Sequence, residues 1–171
     1  MESNLDDGIS QTEAHTMLRE ETTVSLRWKR GIALGLTGLW LWFILARSAQ
    51  PAEQSGAESA VFLDFLRLFF PSLTDLIVRK LAHFTEYFIL GALLFADWRM
   101  IGRGRVLLPS GLGAAVAFVD ELLVQTHTPG RSGELRDVLL DTVGVVTAVA
   151  FCLLLRRRKE KSAHGGSGKE A

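Results

Sequence analysis

The sequence predicts an all-α integral membrane protein: a four-helix transmembrane bundle with a short interfacial helix in its first outer loop. Three observations predict it. Four apolar stretches approach or reach the ~20 residues that a helix needs to span hydrocarbon, and ~17 are still tolerated. Basic residues cluster between these stretches instead of lining one face of each. The ionisable residues inside the stretches gather toward ends that share one side.

The chain has 171 residues, 48% of them apolar, and a formal net charge of zero. That length suits one compact domain, and overall neutrality offers no case for nucleic acid. Charge is instead segregated along the chain. Residues 1–25 carry six acids and one base, Arg19, without a sustained apolar period. They are expected to form a disordered acidic tail. Such a stretch ahead of the first apolar run is not the pattern of a cleavable signal peptide, so that run is expected to stay as an anchor. Cys152 is the one cysteine, which rules out an intramolecular disulfide and any zinc spacing. No cofactor is expected and no metal site is assigned.

The transmembrane domain is expected over residues 26–156. Its first span, residues 28–46 (WKRGIALGLTGLWLWFILA), has charge only at Lys29 and Arg30, which can snorkel. Residues 48–59, with Pro51 and Gly56, read as loop. Residues 60–70 (AVFLDFLRLFF) are too few to span, and Asp64 and Arg67 stand three apart, so a helix lying in the interface is expected. Pro71 ends it, because proline disfavours helix in the residue before it. Ser72 or Thr74 then caps the next helix. The second span is residues 81–98, with His83 and Glu86 near its start and Asp97 at its end. The third, 106–124, holds Asp120 and Glu121 near its end, and the fourth, 137–155, holds Asp141 near its start. Residues 157–171 form a basic, flexible cytoplasmic tail. A soluble bundle would need a polar face on each helix, yet residues 31–46 contain no charge and Thr37 as their one hydroxyl. Helices apolar all round sit in lipid or in a large core.

Basic residues set the orientation. Arg27, Lys29 and Arg30 precede the first span; Arg99, Arg103 and Arg105 lie between the second and third; Arg156, Arg157, Arg158, Lys159 and Lys161 follow the fourth. With four spans these groups share a side, which the positive-inside rule makes cytoplasmic. The protein is thus expected to be multi-pass in the cell membrane with both termini cytoplasmic.

This orientation puts Lys80, His83, Glu86 and Tyr87 in the outer turns of the second span, and Asp120, Glu121 and Gln125 in those of the third. Asp137 and Asp141 fall in the outer turns of the fourth, with Arg131 and Arg136 in the loop before it. His83, Glu86 and Tyr87 share a helix face, as do Glu121 with Gln125 and Asp137 with Asp141. Gly144 continues the last stripe and admits a close helix neighbour. Charges in a membrane face one another or a wet cavity, so one polar pocket opening outward is expected. Asp120 and Glu121 point about 100° apart on a helix. One of them at most is expected deep in the pocket, with Glu121 favoured because it shares a face with Gln125, and Asp120 turned toward a neighbouring helix. Glu121 and Glu86 are expected to hold Arg131 and Lys80. Each of these residues also has a plain structural reading: Asp137 as a first-turn acid favoured by the helix dipole, Pro129-Gly130 as a tight turn, and Arg131 as a bridge closing the bundle.

The segments RKLAHFTEYFILGALL and VDELLVQTHTPGRSGELRDVLLDTVG resemble the two signature segments of the VanZ-like membrane proteins. Lys80, His83, Phe84, Glu86, Tyr87, Asp120, Glu121, Gln125, Pro129, Gly130, Arg131, Asp137 and Gly144 fit that pattern. Asp141 stands where the pattern has Asn, and Arg79 where an acid often precedes the Lys. The resemblance implies action at the cell envelope and a link to resistance against the glycopeptide teicoplanin. Three functions are expected to compete. The first is binding of an anionic lipid head group or wall precursor, with membrane lipid as partner. The second is a metal-dependent intramembrane hydrolase of lipid-linked phosphate, with carboxylates and one His as ligands. The third is a packing role for the polar network.

Overall fold

The computed structural model describes residues 3–101 and 107–166, and all of its regular structure is helical. The elements are α1 (Ser3–Ser48), α2 (Ala52–Arg67), α3 (Asp75–Met100), α4 (Leu107–Val119), a π-helical turn (Asp120–Val124), a 3-10 turn (Gln125–His127) and α5 (Leu135–Gly166). Three stretches are long and apolar enough to cross a membrane: Thr23–Ser48, Leu107–His127 and Leu135–Ser162. At 26 residues α3 is long enough, but His83, Glu86 and Asp97 interrupt its apolar run and it is not one of the three. Large side chains such as Trp42, Leu139, Phe151 and Leu154 are exposed along these helices. Apolar surface this extensive is stable in lipid and not in water, which makes the chain a membrane protein.

The core is small. Ile44 of α1, Tyr87 and Leu90 of α3, Ala117 of α4 and Val145 of α5 form one buried cluster. The most extensive contact is between α3 and α5. It is close because both helices present glycine at the crossing. A Cβ on Gly91 would lie 2.7 Å from the Val145 carbonyl oxygen, and one on Gly144 would lie 2.8 Å from the Phe84 carbonyl oxygen. Gly144 thus serves the close approach that its stripe implied. At one end of the helices Thr37 Oγ1 donates to Asp97 Oδ2 at 2.6 Å; at the other, Ser48 reaches Asp120 and Lys80 reaches Asp137.

Several segments differ from expectation. The stretch expected as a disordered tail is helical from Ser3, continuous with the first span. Once an apolar helix is nucleated, propagation is cheap, and Glu, Leu, Met and Arg in this stretch are good helix formers. Arg156 and Glu160, i and i+4, pair at 2.6 Å as α5 continues to Gly166 through the segment expected to be flexible. Residues 1–2, 167–171 and the expected loop bases Arg103 and Arg105 lie outside the described residues.

The segment 48–59, expected as loop, is largely the start of α2. Pro51 has φ −54°, suited to the entrance of a helix, and the Ala52 amide donates to the Pro129 carbonyl at 3.1 Å, which anchors the first turn. The apolar run expected as a separate helix from residue 60 completes α2, which ends at Arg67, ahead of Pro71. Arg67 lies 3.7 Å from Asp64, and its Nε donates to the Leu73 carbonyl at 3.2 Å. Thr74 caps α3 as expected, accepting from the Ile77 amide.

Candidate functional site

The site begins with an irregularity in the backbone. α4 gives way at Asp120 to a single wide turn before the 3-10 turn at Gln125–His127. A π turn inserts an extra residue into the helical register and is common at functional sites. Here it admits two adjacent acids to the interior: Asp120 is 0% exposed and Glu121 1%. Neither lines the cavity beside them, Glu121 meets Gln125 on its shared face, and Asp120 turns toward neighbouring helices, as expected. Their directions still differ. Asp120 turns toward α1 and α3, where Ser48 Oγ donates to its Oδ2 at 2.8 Å and Tyr87 Oη at 3.0 Å. Glu121 turns toward the following loop, accepting from Gln125 Nε2 and, at 3.0 Å, from the Glu134 amide.

That loop is folded tightly over Glu121. The Arg131 amide donates to the Thr128 carbonyl at 3.1 Å, and Gly130 has φ 76°. Proline followed by a residue at positive φ is the type II turn pattern, and glycine supplies the second position without strain. A Cβ on Gly133 would collide with the Glu121 carbonyl oxygen and Thr126 Oγ1. Backbone packed this near leaves no room for a larger residue.

Ion pairs then join the helices, with partners other than those expected. Lys80 Nζ pairs with Asp137 Oδ1, tying α3 to the first turn of α5. Glu86 lies 3.4 Å from Arg47 Nε of α1, and its carbonyl accepts from the Trp40 indole at 2.9 Å. Arg131 does not bridge to Glu121 or Asp137. Its guanidinium donates to Gln125 Oε1 at 3.2 Å and to the Arg47 carbonyl at 3.3 Å, both neutral acceptors. Burial, with Arg79 and Arg47 nearby, pushes its pKa below the ordinary arginine range, and Asp120 and Glu121 oppose the shift. The group nonetheless remains a cation, since guanidinium does not deprotonate in proteins.

Deeper in the bundle, His83 Nδ1 faces Asp141 Oδ1 at 3.8 Å. Asp141 is 0% exposed. Among the described residues, neither of its carboxylate oxygens, nor Asp120 Oδ1, nor His83 Nδ1 has a hydrogen-bond partner. No metal site was assigned from the sequence; the fold nonetheless brings one oxygen each from Asp120, Glu121 and Asp141 within 4.8 Å of one another. Cation ligands can occupy that spacing.

Above these groups lies a cavity of about 310 Å³, bordered by Arg79, Lys80, His83, Gln125, Arg131, Ser132, Glu134, Arg136 and Asp137 among others. The sequence-assigned residues therefore divide into tiers. Lys80, Arg131 and Asp137 border the cavity; His83 and Gln125 border it and reach the buried cluster; Tyr87, Asp120, Glu121 and Asp141 lie beneath; Glu86 is diverted to α1. Sequence reasoning missed Arg47, Ser48, Arg79 and the Glu134 amide as participants, and placed Arg136 at this end without assigning it to the pocket. Arg47 carried a signal, being the first charge after a long apolar run at the same depth as the other polar residues. Ser48 carried none.

These features define a membrane-embedded helical protein with a buried polar cluster under a cationic cavity at one end of its helices. The chain belongs to the VanZ/LLP1 family, whose family model matches residues 33–156 and so extends the motif resemblance back into α1. No curated protein and no solved structure matches it.

Proposed function

We propose that this VanZ-like protein is a multi-pass component of the cell envelope that binds an anionic head group, of a membrane lipid or a wall precursor, in its cationic cavity. In this reading α3 is a fourth span beside the three apolar ones, α2 lies in the outer interface, and both termini are cytoplasmic. The basic groups at Arg27, Lys29 and Arg30 and at Arg156–Lys161 support that orientation. The link to teicoplanin resistance is a proposal by family resemblance.

The observation that carries the reading is Arg131. It is half-buried, its hydrogen bonds go to neutral acceptors, and it borders a cavity that also presents Arg79, Lys80 and Arg136. Of these bases Lys80 is paired with Asp137 and Arg79 with Asp75. A half-buried cation whose hydrogen bonds go to neutral acceptors is stabilised further by an incoming phosphate or carboxylate. The start of α5 at Leu135 adjoins the same cavity, and a helix N-terminus favours negative charge. A volume of about 310 Å³ suits a head group without its acyl chains.

The test is lipid exchange on purified protein in phosphatidylcholine nanodiscs. Retention of phosphatidylglycerol over phosphatidylcholine, weakened in Arg131→Lys, supports the reading. Two alternatives have their own signatures. A metal-dependent hydrolase releases phosphate from lipid-linked phosphates and is stopped by a chelator. A pure packing role gives neither selective retention nor turnover.

A further inference from the structure

We propose that Asp120 and Glu121 of the π turn, together with Asp141 of α5, form a buried site for a hard divalent cation, with His83 Nδ1 as a neighbouring donor. The inference goes beyond head-group binding and does not depend on it.

Geometry supplies the first argument. One oxygen from each carboxylate lies within 4.8 Å of the other two. Ca²⁺ takes oxygen ligands at about 2.3–2.6 Å, so ligands on opposite sides of the ion stand about 5 Å apart. A spacing within 4.8 Å is compatible with oxygens of one Ca²⁺ shell. Mg²⁺, with bonds of about 2.0–2.1 Å, takes a tighter oxygen set. An all-carboxylate set selects hard cations over zinc or copper.

Unmet bonding capacity supplies the second argument, and it is independent of the spacing. Asp141 is fully buried, and neither of its oxygens accepts a hydrogen bond from a described protein group. Buried polar atoms are partnered as a rule, and exceptions call for an explanation. Asp120 keeps Oδ2 for Ser48 and Tyr87 and leaves Oδ1 without a partner on the same cluster. His83 Nδ1, 3.8 Å from Asp141 Oδ1, is likewise unpartnered. The orphaned oxygens thus belong to two of the three side chains that bring carboxylate oxygens together.

Charge supplies the third. Among the described groups, the hydrogen bonds and ion pairs of Lys80 and Arg131 go to Asp137, Gln125 and the Arg47 carbonyl, and none goes to these three carboxylates. Carboxylates this close, and shut away from water, disfavour joint ionisation unless a cation sits among them. A bound ion would join the end of α4 to α5, and the hydrogen bonds to Glu121 from Gln125 and the Glu134 amide would orient one ligand.

The test uses the full chain, stripped with EDTA, in phosphatidylcholine nanodiscs, which lack anionic lipid that would itself bind cations. Mn²⁺ is titrated by electron paramagnetic resonance and competed with Ca²⁺ and Mg²⁺, and unfolding temperature is followed with and without Ca²⁺. The expected result is saturable binding of about one ion per chain and a higher unfolding temperature with Ca²⁺, as mass action requires. D141N and E121Q should each weaken binding more than about tenfold, a loss in the range seen on disturbing metal shells. D64N, an exposed acid on α2, should bind as the unchanged chain does. Absence of saturable binding to the unchanged chain overturns the proposal, whatever the variants do. So does D141N or E121Q binding with undiminished affinity. Because no anionic lipid is present, failure of head-group selectivity and failure of this site are distinguishable.

Discussion

Tyr87 Oη donates to Asp120 Oδ2 at 3.0 Å, joining the middle of α3 to the π turn that ends α4. Both side chains are fully buried. Ser48 Oγ donates to the same oxygen at 2.8 Å, so one carboxylate oxygen collects hydroxyls from two other helices.

Tyr87→Phe removes a donor while preserving shape. Removing one partner of a buried bond costs about 1–3 kcal/mol, and the double variant with Ser48→Ala should depart from additivity because both donors share an acceptor. Reversible unfolding in detergent, measured for the two single variants and the pair, checks this. A Tyr87→Phe protein as stable as the unchanged one would show that the bond contributes nothing.

At the α3–α5 crossing there is no room for a methyl group. Gly91→Ala sets a Cβ against the Val145 backbone, and neither contacting atom is the tip of a flexible side chain. Overpacking of this kind costs about 1–3 kcal/mol. Reduced membrane abundance and a lowered unfolding temperature are expected. Gly35→Ala serves as the control, since a Cβ there has nothing within 4 Å.

Arg131 and Lys80 should differ in their tolerance of exchange. Lys80 forms a point-charge pair with Asp137, which Arg can replace, whereas Arg131 spreads its donors between Gln125 and the Arg47 carbonyl. An ammonium does not reproduce that fork. Arg131→Lys should therefore impair the envelope phenotype more than Lys80→Arg at equal abundance, with teicoplanin susceptibility of an expressing host as the readout. Full activity of Arg131→Lys would overturn head-group binding through Arg131. If both variants lose function only through lost protein, packing is the better account.

Orientation is open to direct chemical test. On a Cys152→Ser background, Ser55→Cys and Ser132→Cys should react with an impermeant thiol reagent in intact cells, and Ser162→Cys should not. The reverse pattern would invert the topology.

Helical class and membrane character were legible because they rest on local quantities: the length of apolar runs and the placement of charge between them. The gathering of His83, Tyr87, Asp120, Glu121, Gln125, Arg131, Asp137 and Asp141 toward one end of the helices was legible from helical spacing once the spans were placed. The partners were not. Pairing of Glu86 with Arg47, and of Lys80 with Asp137, depends on which helices are neighbours and at what rotation, and no local pattern encodes either. The differing directions of Asp120 and Glu121 were legible from their adjacency, but the π turn that carries them was not, because no local pattern marks it.

By itself, then, the amino-acid sequence determined three of the four expected apolar spans, the cap at Thr74, the Pro129-Gly130 turn, the close approach at Gly144 and the motif that places the chain among VanZ-like proteins. Each follows from chemistry within a few residues. Tertiary structure alone decided that α2 begins at Ala52, that Arg131 rests on neutral acceptors, and that the carboxylates of Asp120, Glu121 and Asp141 converge. The physical reason is distance along the chain. Asp141 is twenty-one residues from Asp120 and reaches it only because a folded loop reverses direction between them and α5 packs back along α4.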